Sequence, residues 1–421
     1  MVWTFHRKGL RDHARSRIIM QSLSEKGWII LRLQLYAIYL VLQTIYQSLI
    51  ELVYIFTGNA EIPSDKVRIS SIVWRYKVDP EEIAKRNDFV LAPGYLDSVE
   101  LLNNPHWILY SIEKNVVVFV LLPEPITTYT IENNPFIFVT LFEKALAVAE
   151  VSIPGYLKFA HKLAENPQPR TVLFTNTARC GSTLFGKMLN RPGVSTCYAE
   201  HPALTVLSIA LGEELMSEAD VRALLHATVT CLRAHLPVDS LCILKTQSFE
   251  ARLVPLCRDI PNLKHIFMFR KKALPSVEKV CRRAEFLYLL LLELYHISPF
   301  ISRCLGTLVA GEGKWVRILR PQNMRAQAAI ILASPLSHYE RNKEMYCHPI
   351  VWFHEIIVDT ENVLTSVFNE LGIPLSCIAD AVECKKVDSQ KGSFLSQQNL
   401  KNIEVGAYYS KILRLQKVLH N

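Results

Sequence analysis

The stretch that decides the fold is the apolar run Thr171-Val-Leu-Phe-Thr-Asn-Thr177, followed by Ala178-Arg-Cys-Gly-Ser-Thr183 and by the helix-like run Leu184–Asn190. A strand, a glycine-containing turn and a helix start bring free backbone N–H groups to one point, where the helix dipole adds positive potential. The arginine of the turn can add a forked charge, and its two hydroxyl residues can donate hydrogen bonds. The stretch predicts a site for an oxyanion; the alternative is an ordinary strand–helix turn with hydroxyl caps.

Downstream of this stretch, short apolar runs alternate with longer helical segments. The runs from here on are Thr171–Asn176, Leu241–Leu244, His265–Phe269 and Val351–Ile357. Such alternation predicts an α/β fold with a central parallel sheet and helices on both of its faces. In these sheets, functional side chains lie at the carboxyl ends of the strands.

Three regions follow from the pattern along the chain. Residues 1–58 form a basic N-terminus with a hydrophobic segment, and residues 59–165 form a small, strand-rich α+β unit whose role the sequence leaves open. Within that unit, Trp107–Ile112 and Val116–Leu122 predict a hairpin. The proline-rich stretch Asn166-Pro-Gln-Pro169 marks the boundary before the α/β domain, residues 166–421.

Composition narrows the class of protein. Of the 421 residues, 50% are hydrophobic and 20% are charged, which excludes a disordered or collagen-like chain. The net charge of +8 favours an anionic ligand or a membrane surface over nucleic acid as the partner. Ten cysteines occur without a Cys-x-x-Cys pair, so the sequence supports neither a zinc ribbon nor a thioredoxin-like motif.

The N-terminal hydrophobic segment just reaches the length of a membrane span. Residues 33–50 carry no charge between Arg32 and Glu51, and the basic residues precede them. The positive-inside rule then predicts a single-pass signal anchor with a cytoplasmic N-terminus and membrane association through residues 33–56. The alternatives are an interfacial or buried helix in a peripheral or cytoplasmic protein. The absence of an Asn-x-Ser/Thr sequon argues against a lumenal domain.

The loop at 178–183 resembles the 5′-phosphosulfate loop of the sulfotransferases, which use 3′-phosphoadenosine 5′-phosphosulfate (PAPS). Similar positions in that family are occupied here by Glu200, by Lys245-Thr246 at a strand end and by Arg270 at another. The late Trp352–Glu355 and Leu371–Pro374 segments fit the same pattern, so that the resemblance covers about residues 170–395. With a glutamate at 200, the layout is similar to the Golgi branch that acts on tyrosine side chains and carbohydrates.

The resemblance implies transfer of a sulfuryl group from PAPS to a hydroxyl or amine acceptor, without a metal. Glu200 would be the general base, Lys245 would stabilise the transferring group, and Arg179 would serve both catalysis and binding. The implied nucleotide-binding residues are Arg179, Cys180, Gly181, Ser182, Thr183, Arg270, Ser276, Lys391 and Gly392. A Golgi location would follow, and the acceptor stays unidentified.

Two departures from the family keep other functions open. Glu278 stands where the family has a serine after its 3′-phosphate arginine, and a carboxylate there would repel a phosphate unless Ser276 takes its place. One alternative is therefore a catalytically impaired relative that binds a membrane or a protein partner. A second alternative is a P-loop kinase or NTPase, because Gly181–Lys187 matches GxxxxGK, although Met188 replaces the hydroxyl residue that holds magnesium.

Overall fold

The computed structural model describes residues 3–77, 82–283, 290, 292–293, 297–298, 311–390 and 396. It divides into two compact units. One unit comprises Met1–Ala60 with Tyr76–Asp79, and the other comprises Glu61–Arg75 with Pro80–Asn421.

The first unit is dominated by one long helix, α1 (Trp3–Phe56). Its segment Leu33–Phe56 has 24 residues and a mean hydropathy of 1.4, so it is long and apolar enough to cross a membrane. Only 17% of its residues are buried. Tyr36 and Tyr39 pack on Tyr76, with ring centroids 5.8 and 5.3 Å away, respectively. Most other large apolar side chains of the segment point outward.

The second unit begins with a six-stranded sheet in which every pair is antiparallel. Its strands are β1 (Lys66–Arg75), β2 (Phe89–Leu91), β3 (Tyr95–Ser98), β4 (Trp107–Ile112), β5 (Val116–Leu121) and β6 (Ala147–Ser152). The order is β2-β1-β6-β5-β4, with β3 also paired to β1. The predicted hairpin is β4–β5, and α2 (Ile137–Lys144) and α3 (Ile153–Ala164) flank β6 in the chain.

The rest of the second unit contains a five-stranded sheet in the order β11-β10-β7-β9-β8, in which every pair is parallel. Its strands are β7 (Arg170–Asn176), β8 (Ser195–Ala199), β9 (Leu241–Lys245), β10 (Leu263–Phe269) and β11 (Val351–Trp352). The helices are α4 (Ser182–Leu189), α5 (Pro202–Gly212), α6 (Glu218–Arg233), α7 (Leu274–Arg283), α8 (Gly313–Leu319), α9 (Met324–Arg341), α10 (Phe353–Val358), α11 (Thr360–Leu371) and α12 (Ile378–Glu383), and a 3₁₀ segment covers Ser248–Cys257. This arrangement confirms the predicted α/β fold with a parallel sheet.

One predicted strand is wrong in its extent. The run Val351–Ile357 contributes only Val351 and Trp352 to the sheet, and α10 begins at Phe353. The neighbouring strand β10 ends at Phe269, opposite Trp352. Beyond that point the backbone has no strand partner, so it satisfies its N–H and C=O groups within a helix.

Both faces of the parallel sheet are covered. Along β7, Val172 and Phe174 pack into one hydrophobic cluster, together with side chains of α4 and α11, and Leu173 packs into another, together with side chains of α5 and α6. This alternation is what a strand buried on both faces requires. It leaves the carboxyl edge of the sheet as the place where loops can present polar groups.

Candidate functional site

The loop between β7 and α4 is held in a conformation that few residues adopt. Gly181, at the N-cap of α4, has φ +90°, and Arg179 has φ +58°. A Cβ on Gly181 would lie 2.5 Å from Cδ2 of Phe353, so this position requires glycine for both backbone and space. Asn176 ties the start of the loop to the neighbouring strand, because its side-chain amide donates to the carbonyl of Thr246 at 2.8 Å.

A cavity of ≈ 380 Å³ lies at this edge of the sheet. It brings together seven of the residues that the sequence predicted for the site: Arg179, Gly181, Ser182, Thr183, Glu200, Lys245 and Arg270. Of the other predicted residues, Cys180 is fully buried in the core beneath the loop, and Ser276, which is half-buried on α7, does not line the cavity as described. Lys391 and Gly392 lie outside the described residues.

Two arginines lie side by side in the cavity. Arg270 places its guanidinium 4.6 Å from the centre of the Phe353 ring and donates to the carbonyl of Arg179 at 3.5 Å. Burial lowers the pKa of Arg179, and repulsion from Arg270 lowers it further, whereas the charge of Asp388 opposes both effects. A cavity that crowds two guanidinium groups is suited to a multiply charged anion.

Gln390 completes the loop side of the cavity. Its side chain accepts a hydrogen bond from Nη1 of Arg179 at 2.6 Å and donates one to Oγ1 of Thr183 at 3.3 Å. It therefore sets the direction of the arginine relative to the start of α4. Sequence reasoning missed Gln390, although it directly precedes the predicted Lys391 and Gly392.

Lys245 and Glu200 form an ion pair inside the cavity, between Nζ of the lysine and Oε1 of the glutamate. Their side chains are 2% and 15% exposed, respectively. The backbone joins the same residues, since the N–H of Glu200 donates to the carbonyl of Lys245 at 2.7 Å. Glu200 has φ +59° and is, after Arg179, a second non-glycine residue at this edge with a left-handed backbone. The proposed base and the proposed cation of the site thus neutralise one another.

A buried carboxyl group that the sequence analysis did not single out lies behind this pair. Glu250 accepts hydrogen bonds from Oγ1 of Thr205 at 2.6 Å and from the backbone N–H of Gln247 at 3.0 Å. It therefore connects α5, which follows Glu200, to the loop that follows Lys245. Burial raises the pKa of Glu250 to about 8; the charge of Glu200 raises it too, whereas Lys245 lowers it.

Apolar side chains form much of the remaining lining. Phe136 and Phe138, which stand at the start of α2, line the cavity together with Phe353. The first two come from the region 59–165, in which the sequence showed no candidate site residue. Only the tertiary structure brings them to the parallel sheet, so no local pattern could have identified them.

Glu278, the residue that put a phosphate site in doubt, does not line the described cavity. Its buried carboxylate accepts from Nε of Arg282 at 2.9 Å and lies 3.7 Å from Arg325 on α9. Two cations thus compensate its charge. Whether a phosphate binds near this position stays a prediction.

The lysine of the GxxxxGK match does not line the cavity either. Lys187 donates to the carbonyl of Glu132 at 3.2 Å and lies 4.0 Å from that residue's carboxylate. The next residue, Met188, is buried in the core. A phosphate at the start of α4 would therefore meet Arg179 rather than Lys187.

Known proteins resemble this chain only loosely. No protein-family model matches the chain, and no curated protein matches it. Among the solved structures that match, a sulfotransferase domain from the curacin biosynthetic pathway aligns with 60% of this chain and 99% of that domain, at 12% identity and a TM-score of 0.32. So loose a likeness carries no argument about ligand or chemistry. The fold and site define an α/β protein with a cation-lined cavity at the carboxyl edge of a parallel sheet.

Proposed function

We propose that the chain transfers a sulfuryl group from PAPS to a hydroxyl or amine acceptor. The observation that carries the proposal is the cavity shared by Arg179 and the loop residues Gly181–Thr183, by the Lys245–Glu200 pair and by Arg270. Sulfuryl transfer needs cations and backbone donors on the leaving side and a base on the acceptor side. These groups come from the ends of four neighbouring strands, β7, β8, β9 and β10.

On the leaving side, the N–H groups at the start of α4 and the hydroxyls of Ser182 and Thr183 would hold the phosphosulfate. Arg179 would place its fixed positive charge beside the bridging oxygen, where negative charge grows. Arg270 would meet the 3′-phosphate, supported by the ring of Phe353. The roles assigned from the sequence to Cys180, Ser276, Lys391 and Gly392 stay predictions.

The transfer step then balances as follows. The acceptor oxygen or nitrogen forms a bond to sulfur while the bond from sulfur to the phosphate oxygen breaks, and its electron pair leaves with adenosine 3′,5′-bisphosphate. Glu200 takes the proton from the acceptor, and Lys245 stabilises the oxygens of the moving group. The protein's own cations supply the positive charge, so this mechanism routes no step through a metal.

We propose further that Leu33–Phe56 anchors the chain in a membrane, with the N-terminus cytoplasmic and the remainder in the Golgi lumen. Leu42→Arg places a charge in the middle of the span, at a cost of about 3 kcal/mol. The variant should become extractable from membranes with alkaline carbonate. The control is Leu146→Arg, a similarly exposed leucine in the second unit, which should stay membrane-bound. Extraction of the unchanged chain would contradict the anchor.

The test of the activity begins with the nucleotide. Adenosine 3′,5′-bisphosphate should raise the melting temperature of the full chain in detergent with a chelator present. At a ligand concentration of a hundred times Kd, the expected stabilisation is about 2.7 kcal/mol. Arg179→Ala should abolish the rise. The matched control is Arg258→Ala, an exposed arginine before the amino end of β10, which should keep the rise.

Radiolabelled sulfate transfer to a panel of hydroxyl and amine acceptors would follow. A folded wild-type chain that shows no shift at millimolar nucleotide would refute the proposal and favour a binding protein without catalysis. Glu278 supplied the main reason for that alternative, and its pairing with Arg282 removes much of the reason. The contact of Lys187 with the carbonyl of Glu132 argues against the NTPase alternative, in which this lysine would bind a phosphate.

A further inference from the structure

The proposed base Glu200 and the proposed cation Lys245 are paired with each other inside the cavity, although the reaction would need both groups free to act on the substrates. Both side chains line the cavity, and each is the other's charged partner. Lys245 is almost completely buried, so an ammonium group without an anion at this place would be costly. In the structure, the carboxylate of Glu200 is the anion that compensates this ammonium group.

A sulfuryl group that enters between the loop and this pair would add negative charge next to the ion pair. It brings a second anion to Lys245, and the carboxylate of Glu200 would repel it. Both PAPS and adenosine 3′,5′-bisphosphate carry the 5′-phosphate that the start of α4 would hold. Only PAPS extends beyond it with the sulfuryl group.

We propose, on the basis of the proposed function, that the Glu200–Lys245 pair is a closed state of the transfer point, which the sulfuryl group of the donor opens. The lysine exchanges the carboxylate for the sulfuryl oxygens, and Glu200 becomes free to act as a base only when the donor is in place. The desulfated nucleotide leaves the pair closed. Glu200 therefore weakens binding of the donor relative to that of the product nucleotide.

The backbone makes such an exchange a local event. The hydrogen bond from the N–H of Glu200 to the carbonyl of Lys245 keeps the strand ends together whether or not the side chains touch. Glu250 binds the N–H of Gln247 and so holds the loop after Lys245 from behind. Only side-chain rotation is then needed to separate the charges.

The experiment measures nucleotide selectivity, the ratio of the Kd of adenosine 3′,5′-bisphosphate to that of PAPS, by calorimetric titration of the full chain in detergent. Glu200→Gln keeps the shape of the side chain and removes its charge, so it should raise the selectivity about tenfold, mainly by tightening PAPS binding. Lys245→Ala should lower the selectivity below that of the wild type. The control, Glu370→Gln, removes the carboxylate of an exposed ion pair with Lys264 and should leave the selectivity unchanged.

The outcomes separate the two proposals. If neither nucleotide binds the folded wild-type chain, the proposed function falls and the closed state falls with it. If both bind but Glu200→Gln leaves the selectivity unchanged or lowers it, Glu200 merely positions Lys245, and this inference alone is overturned. Glu200→Ala, which also removes the carboxylate, must shift the selectivity in the same direction, so that the result does not depend on one variant's folding.

Discussion

Replacing Gly181 with alanine perturbs both the backbone and the packing of the loop between β7 and α4. At φ +90° an L-residue with a side chain costs about 1–2 kcal/mol. The new Cβ would also lie 2.5 and 2.6 Å from two carbons of the Phe353 ring, and overpacking of this kind costs about 1–3 kcal/mol. We expect Gly181→Ala to lose about 2–5 kcal/mol, measured as a fall in Tm by scanning calorimetry or intrinsic fluorescence.

A matched control isolates the contact with Phe353. Gly193 has φ +75°, and a Cβ there would meet no atom within 4 Å. Gly193→Ala should therefore pay only the backbone cost, about 1–2 kcal/mol. Adding Phe353→Ala to Gly181→Ala should restore part of the loss, because the ring that clashes is gone, and the double-mutant cycle gives the size of that contact.

The same variant tests the site. Arg270 rests on the Phe353 ring, so a ring displaced by the alanine should carry the guanidinium away from its place. The stabilisation by adenosine 3′,5′-bisphosphate should then shrink in Gly181→Ala and persist in Gly193→Ala. Equal falls in Tm for the two alanine variants would refute the packing argument. A full nucleotide response in Gly181→Ala would refute the assignment of Arg270 to the nucleotide site.

Three further substitutions test the assignments of Lys187, Glu278 and Glu250. Lys187→Ala should leave the nucleotide-induced rise in Tm intact, because its amine contacts Glu132; loss of the rise would restore the P-loop interpretation. Glu278→Ser, which supplies the hydroxyl of the family pattern, should lower Tm because Arg282 loses a buried partner, and a tighter nucleotide Kd in a titration would contradict our assignment. Burial raises the pKa of Glu250 in the folded protein to about 8, from an ordinary value of 4.5. The folded state therefore keeps a proton that the unfolded state releases between these pH values, and stability falls by up to about 1.4 kcal/mol per pH unit as pH rises. The Tm of Glu250→Gln relative to the wild type should therefore increase from pH 5.5 to 7.5, whereas parallel pH curves would show that Glu250 does not titrate in this range.

The part of the fold that depends on short-range pattern could be predicted from the sequence. Apolar runs such as Thr171–Asn176 are buried on both faces, and this marks them as strands of a parallel sheet. Because parallel strands end at one edge, Arg179, Glu200 and Lys245 could be expected near each other. The run 351–357 failed as a strand because its pairing depends on where β10 ends, which its own residues do not encode.

The rest of the site depends on long-range packing. Phe136 reaches the cavity from a region that precedes the parallel sheet, and Phe353 does so because β11 ends after two residues. Glu250 is a charged residue at the start of a helical segment, where a carboxylate is ordinarily exposed and favoured by the dipole. Here it is completely buried, and it accepts a hydrogen bond from Thr205 on another helix. Neither Phe136 nor Glu250 belongs to a periodic pattern or a motif, and the Trp352–Glu355 segment did not indicate that Phe353 lines the cavity.

The ion pair of Glu200 and Lys245 shows why the residues of the site were easier to predict than the contacts between their side chains. Their neighbourhood is set by the register of β8 on β9, in which Ala199 lies opposite Lys245. The next residue, Glu200, then bonds to the carbonyl of Lys245 and turns left-handed, which brings its carboxylate to the amine. A slip of β8 by one residue on β9 would move Glu200 away from this carbonyl and separate the two charges. The register of two short strands thus determines whether the carboxylate of the proposed base lies in contact with the amine of the proposed cation.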